Sequence, residues 1–110
     1  MAFDPPDRLA LSRYSDAAFN VLQVDLLAER ASSLSLRADQ VGGAMLALRE
    51  FDAMGGSPGE RLRLVRRAAR EVWAFFVQRE LCGFRDHRDV IRDYGIPGEV
   101  LVRLGAVETD

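Results

Sequence analysis

The fold is decided by residues 17–48, which read AAFNVLQVDLLAERASSLSLRADQVGGAMLAL. Apolar residues recur there in steps of three and four, interrupted at Asn20. We call these apolar positions the seam; its members are Ala17, Val24, Leu27, Ala31, Leu34, Ala38, Val41, Met45 and Leu48. This rhythm continues for about four and a half heptads without a proline, so it predicts one long, coiled-coil-like amphipathic helix. We expect the helix to start after an N-cap at Ser15 and to end near Phe51.

Gly42 and Gly43 interrupt good helix formers inside this stretch. Each glycine costs a helix roughly 1 kcal/mol relative to alanine. We therefore expect either close contact with a neighbouring helix or a bend at this point.

A second helix is predicted to start at Ser57, Pro58 and Glu60, which have the spacing of a capping box with proline at the first helical position. Its apolar stripe again steps by three and four and comprises Leu62, Val65, Ala69, Val72 and Phe76. Gly83 is suited to the left-handed C-terminal cap. The two helices are expected to form an antiparallel hairpin.

Two short helices are predicted to end the chain, one from Asp86 to Tyr94 and one from Pro97 to Leu104, each followed by glycine. The domain limits follow from these elements. Residues 1–14 are expected to be a flexible N-terminal arm, residues 15–106 a single helical domain, and residues 107–110 an acidic tail.

The two long helices differ in length, since about 36 residues span roughly 54 Å and about 25 residues roughly 37 Å. Part of the seam is therefore left uncovered by the second helix. Either the C-terminal helices fold back over it or a second chain covers it. The interpretation that we favour is an all-α homodimer that closes as a four-helix bundle.

Composition indicates one ordinary domain of 110 residues, with 48% hydrophobic residues and a formal net charge of −2. The N-terminus does not resemble a signal peptide, and no apolar run is long enough to span a membrane. With a single cysteine, Cys82, an internal disulfide is excluded, which fits a reducing compartment. We expect a cytoplasmic protein without a membrane association.

The most prominent candidate for binding is a row of arginines on the second helix, Arg63, Arg66, Arg67 and Arg70. Spacings of three and four place them on one face, where guanidinium groups can hold phosphates or an acidic partner. The alternative is a solvated face whose charges are matched by acids of the first helix, namely Asp25, Glu29, Asp39 and Glu50. The acidic balance of the chain makes nucleic acid an improbable partner without excluding it.

Arg79 falls on the same side of the second helix as Val72 and Phe76, where a buried charge needs a partner. Glu80 or an acid of the first helix is expected to supply it in a structural ion pair. The functional alternative is a small anion pocket formed by Arg79 and Arg85.

For the other candidate sites we favour structural explanations over functional ones. Cys82 lies at the C-terminal end of a helix, where the dipole disfavours a thiolate, so we expect an inert thiol. His87 projects away from Asp86, Asp89 and Asp93, which argues against a metal site and favours a histidine at the core edge. Surface pairs such as Arg85 with Asp89 are expected beside it.

Residues 89–104 have the spacing of a helix-turn-helix unit. Its second helix offers Glu99 and Arg103 but no Asn, Gln, Ser or Thr, so it is poorly suited to read bases. We favour a packing motif.

Two stretches carry a family resemblance: WAFFVQRELCGFRD at residues 73–86 and VIRDYGIPGEV at residues 90–100. They resemble a small bacterial family known only as a domain of unknown function, and the similarity extends from about Ala17 to Val107. It implies a compact, all-helical, cytoplasmic bacterial protein. No activity, cofactor or site residue is implied.

These features together favour a non-catalytic module for protein–protein interaction that forms homo-oligomers, with the seam as its interface and no cofactor. The protein partner, if one exists, is unspecified. The alternative is a DNA-associated regulator that uses the C-terminal unit and the arginine face. An enzyme ranks third, because no catalytic constellation is recognisable.

Overall fold

A computed structural model describes the backbone of residues 8–106 and the side chains of residues 13–106. Every regular element in this part of the chain is a helix: α1 (Arg8–Met54), α2 (Pro58–Leu81), α3 (Arg88–Tyr94) and α4 (Gly98–Leu101). The predicted all-α fold, with one long helix and shorter ones, is confirmed. The acidic tail and the first half of the N-terminal arm lie outside the described residues.

The first helix is longer than the seam predicted. It begins at Arg8, before the expected cap at Ser15, and it continues past Phe51 to Met54. Residues 8–14 contain neither glycine nor proline and are mostly good helix formers, so nothing local stops the helix there. The predicted start at Ser15 was therefore too late.

The chain divides into two units between Ser32 and Ser33, within α1. In the first unit, every side chain from residue 13 to residue 32 is exposed. None of the helices in the described part of the chain is long and apolar enough to cross a membrane.

The second unit contains the hydrophobic core, in which apolar residues of all four helices meet. Its most completely buried large side chains are Val41 and Met45 of α1, Val72 of α2 and Val100 of α4. The T-shaped contact between Phe75 of α2 and Tyr94 of α3, with ring centroids 5.9 Å apart, fills the space between those helices. One core thus unites the C-terminal half of α1 with α2, α3 and α4.

The connection between α1 and α2 follows the predicted capping chemistry. Gly55 takes a φ of 79°, which ends α1 in the left-handed conformation, and the hydroxyl of Ser57 accepts a hydrogen bond of 3.1 Å from the backbone N–H of Glu60. Pro58 occupies the first turn of α2. This tight turn brings α2 back along the last turns of α1.

The glycine pair in α1 lies within the helix, next to Tyr94 and Arg67. A Cβ atom on Gly42 would stand 3.8 Å from Cε1 of Tyr94, so the ring of Tyr94 packs directly over the backbone there. The helix is unbroken through both glycines. An alanine at position 42 or 43 would make an ordinary van der Waals contact, so the packing at this point does not require glycine.

Candidate functional site

The seam changes character along its length. Val24 and Leu27 have 64% and 62% of their surface exposed. Ala31 is also exposed, whereas Leu34 and Ala38 are half-buried. Val41, Met45 and Leu48 are 0%, 2% and 2% exposed, because they lie in the core of their own chain. The C-terminal half of the seam is therefore buried within one chain, whereas Val24, Leu27 and Ala31 in its N-terminal half are exposed.

A second apolar row on the first unit was missed by the sequence analysis. Phe19, Leu22 and Leu26 are 59%, 61% and 51% exposed, and at about 100° per residue they lie on the side of α1 away from the seam. Their own spacing of three and four was the available signal. Residues 13–32 consequently expose large apolar side chains on two sides of the helix, a pattern typical of a helix that packs against others.

The four arginines of the predicted face line one groove. We call it the arginine groove; its walls are Phe51, Glu60, Arg63, Leu64, Arg66, Arg67, Arg70 and Ala106, and its volume is about 810 Å³. The structure thus brings the four predicted arginines together and adds three apolar residues to the wall, Phe51, Leu64 and Ala106. Phe51 comes from α1 and Ala106 from the segment after α4, so their participation was not evident from helix spacing.

Asp39 and Glu50, two of the acids expected to match this face, form no ion pair with it among the described residues. Within residues 13–106, no hydrogen bond or ion pair is formed by Arg63, Arg67 or Arg70. Arg66 does have an interaction partner. Among the described residues, Glu60 is the carboxylate that lines the groove. The arginine groove is therefore a concentration of positive charge in a chain whose net charge is −2.

Arg61, two residues before Arg63, behaves differently because it joins three helices. Its Nε donates to Asp52 of α1 at 2.8 Å, and its Nη2 donates to Glu99 of α4 at 2.7 Å. These hydrogen bonds lower the pKa of Asp52 and of Glu99 and raise the pKa of Arg61. The sequence analysis missed this bridge, since its partners lie 9 and 38 residues away.

Arg79 is buried, with 9% of its surface exposed, and it joins α2 to α3. Its Nε donates to Nδ1 of His87 at 3.1 Å, and its Nη2 donates to the carbonyl of Asp86 at 3.1 Å and lies 3.6 Å from Oδ1 of Asp89. The guanidinium also lies over the ring of Phe84 at 5.1 Å.

These contacts correct the predicted partner of Arg79. The carboxylate nearest to its guanidinium belongs to Asp89 of α3 rather than to Glu80 or to an acid of the first helix. Asp89 comes close to Arg79 because of where α3 packs, and the spacing of residues in the sequence does not reveal the position of α3. Arg85 is exposed on the rim of the same surface depression. Nε and Nη2 of Arg79 thus already donate to acceptors of the protein, which favours the structural interpretation over the anion pocket.

His87 lies at the edge of the core. Its ring stacks on Phe76 with centroids 4.1 Å apart, and its Nε2 is 3.9 Å from Oε1 of Glu80. Because Nδ1 accepts from Arg79, the neutral ring carries its proton on Nε2. No group of three His, Cys, Asp or Glu side chains in the described part of the chain is placed to hold a metal ion.

The surface ion pairs beside His87 differ from those predicted. Arg88 pairs with Asp86 at 2.7 Å and Arg92 with Asp93 at 3.2 Å, instead of Arg85 with Asp89. Hydrogen bonds from the side chain and the backbone of Arg88 lower the pKa of Asp86 to about 2. Asp86 precedes α3, so the expected helical spacing does not apply to it.

The helix-turn-helix interpretation finds little support in this geometry. α4 has four residues, Gly98–Leu101, and ends before Arg103, whereas Leu104 was expected as its last residue. The carboxylate of Glu99 is held by Arg61. α4 is thus about one helical turn long, and its Val100 is buried in the core.

The comparisons with known proteins identify the family. The model of DUF6665, a family of unknown function, matches residues 4–110, and the chain belongs to that family. The expected resemblance to a domain of unknown function is thereby confirmed. No curated protein and no solved structure matches the chain.

Proposed function

We propose that this protein is a non-catalytic interaction module of the cytoplasm that forms a homodimer through the exposed half of the seam. The exposure of Val24 and Leu27, next to the burial of Val41 and Leu48 on the same seam, is the observation that carries the proposal. Apolar side chains that continue a buried row and remain exposed mark an interaction surface.

The occupant that we propose for this surface is a second copy of the chain, running antiparallel. One flank of the seam is formed by the residues that directly precede Ala17, Val24 and Ala31. It carries Asp16, Gln23 and Arg30, at intervals of seven residues. In an antiparallel pair of helices, the same flank of both copies meets. Asp16 of one copy then lies beside Arg30 of the other, and Gln23 lies beside its own counterpart.

A parallel pair lacks this complementarity. There the flank of Asp16 and Arg30 meets the opposite flank, which carries Tyr14, Val21 and Ala28. Both charges would face uncharged side chains. Charge pairing therefore favours the antiparallel arrangement.

The same register matches large side chains with small ones. When Leu22 of both copies stands at the same height, Ala17 lies opposite Leu27 and Asn20 lies opposite Val24. Interdigitation of this kind permits close packing. The exposed row of Phe19, Leu22 and Leu26 remains on the outer side of such a pair.

Sedimentation equilibrium with single variants tests the proposal. We expect the wild-type chain to sediment with twice the mass of one chain, and Leu27→Glu to sediment as a monomer with unchanged helix content, because a carboxylate in the interface lacks a partner. Val102→Glu is the control, since Val102 is 82% exposed and lies outside the seam. It should remain dimeric.

Two outcomes contradict the proposal. A wild-type chain that is monomeric at every concentration removes the dimer. Dissociation by Leu22→Glu, with Leu27→Glu still dimeric, places the interface on the other apolar row.

A further inference from the structure

The arginine groove is a second surface whose chemistry the dimer does not use. We propose that it binds a small ligand that carries two or more linked phosphate groups.

Charge is the first argument. Four arginines line the groove, and among the described residues Glu60 is the carboxylate that lines it with them. Arg63, Arg67 and Arg70 have no ion pair within residues 13–106 that would compete with a ligand. Guanidinium groups bind phosphate oxygens bidentately, through two parallel hydrogen bonds.

The spacing of these arginines fits linked phosphates. Arg63, Arg67 and Arg70 succeed each other at intervals of four and three residues, so one face of α2 presents all three within about 10 Å along the helix axis. Arg67 also lies against α1, with its Nη2 3.9 Å from the place where a Cβ of Gly43 would stand. A single phosphate would engage part of this row, whereas a chain of phosphates spans it.

The shape of the groove favours a small molecule over a nucleic-acid duplex. A volume of about 810 Å³ lies within the range of small-molecule sites, which bury a ligand in a concave surface. Phe51 and Leu64 add apolar wall area that could hold a flat organic group next to the phosphates. Duplex binding depends instead on an extended positive surface, and the net charge of −2 opposes it.

Isothermal titration calorimetry of the full chain tests this proposal with two probes, inorganic tripolyphosphate and ATP. We expect saturable binding with one site per chain at about 0.15 M salt, where exposed charges are screened beyond roughly 8 Å. Arg67→Gln should weaken binding by about tenfold or more, because a charge-assisted bidentate contact is lost. Arg63→Gln and Arg70→Gln should each weaken it as well.

Arg37→Gln is the matched control. It makes the same charge change on an exposed arginine of α1 that is not part of the groove wall, where its Nη1 donates to Gln40. Its affinity should equal that of the wild type, while Arg67→Lys should recover part of the loss in Arg67→Gln. Both of two further results support the proposal. Equal affinity for the two probes indicates that the phosphate chain alone is recognised, and tighter binding of ATP indicates a nucleotide.

Three results would overturn the proposal: no saturable heat with either probe, an equal loss in Arg37→Gln and Arg67→Gln, or tighter binding of a DNA duplex than of tripolyphosphate. The first two would leave a solvated arginine face. The third would assign the groove to nucleic acid. Each can occur with the dimer intact, so failure here is distinguishable from failure of the proposed function.

Discussion

Leu27 and Leu48 are the same residue type in the same column of one helix, yet Leu27 is 62% exposed and Leu48 is 2% exposed. The apolar rhythm around both is alike. Leu48 is buried because α2 returns along the last turns of α1 and joins the same core. Periodicity thus identifies the apolar face of a helix. Which part of that face is buried by the same chain depends on where the other helices pack.

The largest expected effect comes from truncating the buried leucine. Leu48→Ala removes a core side chain and should lower the free energy of unfolding by about 2–5 kcal/mol. Leu27→Ala should leave the unfolding of the diluted protein almost unchanged. Chemical denaturation at several protein concentrations measures both.

The same denaturation experiment distinguishes a variant that weakens the core from one that weakens the dimer interface. Leu27→Ala should reduce the dependence of the unfolding midpoint on protein concentration, since it weakens association. Leu48→Ala should lower the midpoint at every concentration. Equal losses in the two variants in dilute protein would show that the two halves of the seam are not different in kind.

A smaller effect on the free energy of unfolding is expected at Arg79, which belongs to the unit that contains the core. Arg79→Met leaves Nδ1 of His87 and the carbonyl of Asp86 without their donor, at a cost of about 1–3 kcal/mol in the free energy of unfolding. The control Arg85→Met changes an exposed neighbour and should be close to neutral. Thermal denaturation distinguishes the two, and an equal effect of both would remove the structural role of Arg79.

The smallest effect concerns acid. The hydrogen bonds of Arg61 lower the folded-state pKa of Asp52 and Glu99 below the ordinary values of 3.8 and 4.5. Groups with a depressed pKa contribute stability above their ordinary pKa, and that stability is lost as pH falls below it. We expect Arg61→Gln to reduce the loss of stability on acidification below about pH 4.5. Because residues 13–32 lie outside the unit that contains Arg61, their helix content should not contribute to the difference between the variant and the wild type.

Much of the fold follows from local chemistry. Ser57, Pro58 and Glu60 place the start of α2 correctly, because capping depends on residues close in sequence. The arginine row was also predicted, since Arg63 and Arg67 share a face of any α-helix.

Features that depend on packing between distant segments were not predicted. Arg61 reaches Glu99 and Arg79 reaches His87 only after α3 and α4 are placed. Phe51 joins the arginine groove for the same reason. The start of α1 was misplaced because Ser15 has the chemistry of a cap without being one.

Amide hydrogen exchange tests the central claim most directly, because it compares both halves of α1 in one chain. We predict that amides of residues 41–48 are protected at every protein concentration, whereas protection of residues 13–31 rises with concentration in the wild type and stays at the level of the dilute wild type in Leu27→Glu. Protection of residues 13–31 that is independent of concentration, or absent even in concentrated protein, would contradict the proposed dimer.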